Sequence, residues 1–149
     1  MDSMKALRKA IYNVLNGNVI YKGAAVKIYD EKIFTGEQPN LYILFGTQRE
    51  SRLPEFEQDC AYVAFSSIDI LIVSKTQSET SKDALDDISS SILDLLLNLP
   101  GSDNLAAQSG FQISNLRRES AVCGLVQISP TETILQKLIT LTASIIQQN

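Results

Sequence analysis

Ala61-Tyr62-Val63-Ala64-Phe65-Ser66-Ser67-Ile68-Asp69-Ile70-Leu71-Ile72-Val73-Ser74 is the stretch that decides the fold class of this chain. Successive side chains of a strand point to opposite faces, so Tyr62, Ala64, Ile68, Ile70 and Ile72 share one face and Val63, Phe65, Leu71 and Val73 the other. Both faces are apolar. A strand with one wet face would alternate with polar residues, so this one is expected to be covered on both sides. In a chain of 149 residues, a neighbouring subunit can supply the second cover.

Immediately after this strand, Thr76-Gln77-Ser78-Glu79 matches a capping box, which satisfies free backbone donors at a helix start. Ala84, Leu85, Ile88, Ile92, Leu95, Leu96 and Leu99 then recur at helical spacing, and Pro100-Gly101 ends the run. Before it, residues 41–47 carry the aromatic and branched side chains that favour strands, with Pro39 at the entrance. Residues 48–59, rich in Arg and Glu, are expected to form a long charged connection. Further upstream, residues 26–29 read as a strand and residues 19–21 as a short strand or an extended connection.

Residues 3–15 are expected to be helical, since Met4, Leu7, Ile11, Val14 and Leu15 recur on one side, with Ser3 able to cap and Asn16-Gly17-Asn18 closing the end. Downstream, residues 111–119 are expected to be a strand and residues 120–131, with Gly124 and Pro130, an irregular arm. Ile139, Leu141, Ala143 and Ile145 alternate with Thr140, Thr142 and Ser144, marking a last strand. The element order predicts one α+β domain over residues 1–149: a mainly antiparallel sheet with two helices packed on one face. Its other face is then the expected assembly surface.

Composition narrows the function classes. The chain contains no histidine, which removes the commonest general base near neutral pH and the commonest metal ligand. Cys60 and Cys123 stand far apart, a spacing that suggests neither a zinc site nor a disulfide framework, and free buried thiols are expected. Net charge is −4 with no local run of Lys or Arg, so direct nucleic-acid recognition is not expected. No apolar stretch approaches the ~20 residues of a membrane span, and the opening residues precede an amphipathic helix rather than a secretory core, so neither a membrane nor export is expected.

Catalytic motifs are missing. No serine stands in a Gly-x-Ser-x-Gly elbow, and the seven glycines form no phosphate-binding loop, so no cofactor is expected. Asp30-Glu31 are neighbours on a strand and point apart, while Asp83, Asp86, Asp87 and Asp94 lie off the leucine stripe and read as a solvated helix face. Asp69 interrupts an apolar strand and needs water, an arginine or another partner. A catalytic carboxylate is the sharper alternative there, and no second titrating group is placed beside it by sequence. Two stretches of mixed charge remain, Arg49-Glu50-Ser51-Arg52 with Glu55, and Arg117-Arg118-Glu119. Such charges steer docking and set register more than they add affinity.

Two segments in order, Val26-Lys27-Ile28-Tyr29-Asp30-Glu31 and Pro39-Asn40-Leu41-Tyr42-Ile43-Leu44-Phe45-Gly46, between a first helix bearing Leu7 and Leu15 and a long strand and helix, resemble the tail-completion proteins of tailed bacteriophages. These are the tail terminators and head-to-tail joining proteins, and the resemblance covers nearly the whole chain. It implies a structural virion protein, not an enzyme, without metal or cofactor, assembled in the host cytoplasm. Its expected form is a homo-oligomeric ring, hexameric or dodecameric, that caps the tail tube protein and meets the head connector or neck proteins. Arg49, Glu50, Arg52, Glu55, Arg117, Arg118 and Glu119 are then expected at the oligomer or tube interface. A neck or short-tail ring protein would look much the same, and a non-viral cytoplasmic adaptor or a small enzyme using Asp69 or another carboxylate are the other classes the residues leave open.

Overall fold

The computed structural model describes residues 2–30, 40–52, 62–75, 82–97, 110–129 and 132–147. Helix α1 spans Ser3–Leu15 and begins at Asp2, whose Oδ1 accepts from the backbone N–H of Lys5 at 2.8 Å. The cap is therefore Asp2 and not Ser3, which lies inside the first turn with its hydroxyl bonded to Glu50 Oε1. The buried stripe of α1 runs through Ala6, Leu7, Ala10, Ile11 and Leu15. Gly17, at φ +79, closes the helix in the left-handed conformation that costs glycine least.

Two short strands, β1 (Ile20–Tyr21) and β2 (Ala24–Ala25), form a hairpin of their own around Lys22 and Gly23. Both turn residues have positive φ, the mirror-image turn whose twist matches that of the strands it joins. The main sheet follows. Strand β3 (Lys27–Tyr29) runs parallel to β4 (Leu41–Arg52), which is antiparallel to β5 (Tyr62–Ser74). Helix α2 (Lys82–Leu97) leads to β6 (Phe111–Ser129) and β7 (Glu132–Gln147), and the sheet order is β3-β4-β5-β7-β6.

The expected α+β architecture is the one observed: a mainly antiparallel sheet whose one face carries both helices. Two expectations about connections are corrected. Residues 48–52 are not a loop but the second half of β4, and residues 120–129 are not an irregular arm but the continuation of β6. In both places a neighbouring strand offers a ladder for the backbone, which overrides the charge of the first segment and the turn-forming Gly124 of the second. The capping box at residues 76–79 lies outside the described residues, as does Cys60; Cys123 is a free, half-buried thiol.

One buried cluster joins α1 and α2 to the sheet through Ile43, Phe45, Ile68, Ile70, Ile72, Ile139, Leu141 and Ile145. On β5 the even-numbered side chains from Ala64 to Ser74 face the helices and are buried. The odd-numbered side behaves differently from the expectation that both faces are covered. Val73 is buried there, but Ser67, Asp69 and Leu71 are half-buried and Phe65 is 47% exposed. Within one chain this strand has one covered face and one open face.

Candidate assembly surface

The open face is organised by cross-strand rows. Arg49 of β4, Ser67 of β5, Thr142 of β7 and Arg117 of β6 are successive partners, so two arginines close the ends of a short hydroxyl row. Ser51, Phe65, Ser144 and Ser114 make the next row, and Asp69, Thr140 and Ser120 the one on the other side. The surface is concave here. A depression of about 690 Å³ is lined by Arg49, Phe65, Ser67, Leu116, Arg117 and Thr142 among others, and an adjoining one of about 370 Å³ by Thr47, Asp69, Ser120 and Thr140. Arg49 and Glu119 border both.

Breaks in strand register put the arginines on this face. In β4 the pairing shifts between Phe45 and Gln48, so the odd residues Ile43 and Phe45 face the helices before the bulge, and the even residues Gln48 and Glu50 after it. Arg49 is thereby turned away from the core. In β6 a shift between Ser114 and Arg117, with Asn115 at φ +54, does the same for Arg117, and a second shift leaves Glu119 in a bulge. At Gly46 an added Cβ would stand 3.3 Å from Leu71 Cδ1 and 3.5 Å from Asp69 Cβ, so the glycine allows β4 to bend close to β5.

The predicted interface residues divide between the two sides. Arg49, Arg117, Arg118 and Glu119 are exposed, and among the described residues none makes an ion pair; Arg117 Nε donates to Thr142 Oγ1 at 3.2 Å. The pairing of Arg118 with Leu141 directs it toward the helix side of the β6 edge. Glu50 also stands on the helix side, where it accepts from Ser3 at the start of α1, the end of a helix that favours a carboxylate. Beside it Gln48 accepts from Arg8 at 3.1 Å and donates to the Met4 carbonyl at 2.9 Å, tying β4 to the same helix. Arg52 pairs through its backbone with Ala64, and Glu55 lies outside the described residues.

Three other acids have local partners. Asp69 Oδ1 accepts from the Thr140 hydroxyl at 2.8 Å, the cross-strand bond that lets a carboxylate sit within the sheet. Arg8 Nε and Asp30 Oδ1 lie 2.7 Å apart as an ion pair, though not in the alignment of a directed hydrogen bond. Asp86 holds Lys137 at 2.5 Å, tying α2 to β7. Among the described residues, no three His, Cys, Asp or Glu side chains are grouped to hold a metal ion.

Two features escaped the sequence reading. Val122, Leu125 and Val126 are 63%, 68% and 38% exposed on the β6 edge, and the branched and apolar residues of 121–126 were the available signal, hidden by the turn-forming Gly124 and Pro130. At the opposite edge Tyr29 and Tyr42 meet edge to face at 5.8 Å, with Lys27 over the Tyr29 ring and Lys75 over that of Tyr42. Burial, and secondarily the neighbouring Tyr29, raises the pKa of Tyr42 above its usual value.

These elements define a two-layer α+β protein whose exposed chemistry is spread over a sheet face and two sheet edges. No known family's profile matches the chain, and no curated protein matches it. Among solved structures, a chain of the virion of a native gene transfer agent particle shares the fold, with a TM-score of 0.74 over 97% of this chain and 98% of that one, at 14% sequence identity.

Proposed function

We propose that this protein is a structural component of a virion, and that it forms an oligomeric ring at the head–tail junction, capping the tail tube and joining it to the head connector. The observation that carries the reading is the end-to-end likeness in fold to a chain of a gene transfer agent virion. The arrangement of the surface agrees with it. A ring subunit needs two different patches that meet head to tail, and the exposed apolar β6 edge and the opposite β3 edge, where Tyr29 meets Tyr42, are two such patches on one subunit.

In this reading the protein has no catalytic centre. Arg49 and Arg117, with Arg118 and Glu119 at the β6 edge, set the register of docking against a neighbouring subunit or the tail tube. Arg52, the last residue of β4, and Glu55, which follows it in sequence, are assigned the same role, whereas Glu50 serves the attachment of α1. The test is the solution mass of the purified chain by light scattering over a wide concentration range, alone and with purified tail tubes, followed by electron microscopy. A closed oligomer of about six or twelve copies, in solution or on tube ends, is the expected result. A chain that stays monomeric and leaves tube ends bare overturns the reading.

A further inference from the structure

The two edges of the main sheet are matched row by row. Tyr29, Leu44, Leu71, Leu138 and Val122 are successive partners across all five strands, and so are Lys27, Tyr42, Val73, Gln136 and Gly124. Strand β3 and the Val122–Gly124 part of β6 therefore stand at the same height on opposite edges of one sheet. Their directions are opposite, because β3 is parallel to β4 and three antiparallel steps separate β4 from β6. Among the described residues, no strand pairs with the outer edge of β3 or with that of the Val122–Gly124 part of β6.

An unpaired strand edge presents free N–H and C=O groups, and natural proteins cover or blunt such edges. The β6 edge is instead long, with apolar side chains exposed on both sheet faces: Val122 and Val126 on the open face and Leu125 on the other. Cover from one side would protect only one of these faces. A strand added alongside flanks the side chains on both faces, with the neighbour's Tyr29 beside Val122 on the open face.

We infer that β6 of one subunit pairs antiparallel with β3 of the next copy, so that the sheet continues from subunit to subunit. A second copy is the occupant because this chain carries the matching edge itself, at the same height and in the opposite direction. A copy displaced sideways, with its helices on the same side, brings Val122 beside the neighbour's Tyr29–Tyr42 pair without a change of register. The contact is heterologous, the kind that generates a ring when the rotation from copy to copy closes. This inference rests on the ring reading above and specifies its interface.

The test is a disulfide. In a full chain with Cys60 and Cys123 changed to Ser, Tyr29→Cys and Val122→Cys are introduced together. Opposed residues of antiparallel strands have Cα atoms about 4.5–5.5 Å apart, within the range a disulfide spans. Inside one subunit the two positions are four strand spacings apart, roughly 19 Å, so any bond between them joins two copies. Mild oxidation is expected to give a ladder on a non-reducing gel that ends at the ring number, while each single-cysteine chain gives dimers at most. Val122→Asp in the native chain should raise the concentration for half-assembly at least about tenfold while leaving the circular dichroism spectrum of the monomer unchanged. An oligomer that forms without the 29–122 bond and tolerates Val122→Asp overturns the edge pairing and leaves the ring reading standing. A chain that stays monomeric at every concentration, uncrosslinked and with tube ends bare, overturns both.

Discussion

Arg49→Glu separates folding from assembly more cleanly than any other change at this surface. Arg49 is exposed on the open face, and reversing its charge removes no ion pair among the described residues. Surface changes of this kind stay within about 0.5 kcal/mol, which for a domain of this size is roughly 1–2 °C in melting temperature. Docking should respond very differently. Arg49 and Arg117 sit at the ends of one row of four strands, three strand spacings or roughly 14 Å apart. That exceeds the ~10 Å screening length at about 0.1 M salt, so the two charges act independently on an approaching partner. Each reversal is expected to weaken association about tenfold at about 0.1 M salt, and the double variant Arg49→Glu with Arg117→Glu about a hundredfold. The effect should fade near about 1 M salt, where the screening length falls to ~3 Å. Thermal melts read the first quantity, and light scattering with tail-tube pelleting over a salt series reads the second. A melting temperature lowered by more than about 5 °C would show that Arg49 supports the fold. Wild-type assembly by the double variant at low salt would remove the arginine row from the interface.

The remaining predictions concern the scaffold. Ile139 is fully buried between Ile70 and Ala121, so Ile139→Ala should cost about 2–5 kcal/mol and lower the melting temperature by more than about 5 °C, whereas Ile139→Val should cost about 1 kcal/mol; equal losses would contradict the packing argument. Asp2→Ala removes the cap of α1 and should destabilise by about 1 kcal/mol, while Asp2→Asn, which can still accept the Lys5 N–H, should recover most of it in denaturant titrations. Burial holds the folded-state pKa of Tyr42 above its ordinary value of 10.0, so the unfolded chain releases that proton first. Stability is then unaffected by this group below about pH 10 and falls as pH rises from there toward the folded-state pKa. Tyr42→Phe should flatten that fall in unfolding curves, and an identical alkaline slope in the variant would assign it elsewhere.

Much of the architecture is legible in residue periodicity. The leucine and isoleucine stripe of α2 and the alternation of β7 each report which side meets the core, because burial of apolar area dominates the energetics of those segments, whereas β5, apolar on both faces, announces a strand but not which face is covered. The absence of histidine and of nucleophile or phosphate-loop motifs likewise directs attention to surfaces. Periodicity fails where the backbone ladder decides. The charged second half of β4 and the Gly124-containing half of β6 look like loops by composition, yet both extend strands because β5 and β7 offer hydrogen-bond partners.

Tertiary structure alone decided which residues belong to the surface site. Simple alternation from Ile43 and Phe45 would point Arg49 into the core and Glu50 out; the bulge after Phe45 exchanges them, sending Arg49 to the open face and Glu50 to the start of α1. No local pattern marks that extra residue. The same holds for the meeting of Arg49 and Arg117 on one row, since two segments so distant in sequence become neighbours only through the order in which β4, β5, β7 and β6 pair. Sequence by itself determined the elements and the apolar side of most, because that information is local. Strand order and register arise from long-range pairing, and they placed the charges on the open face and the apolar side chains on its edge.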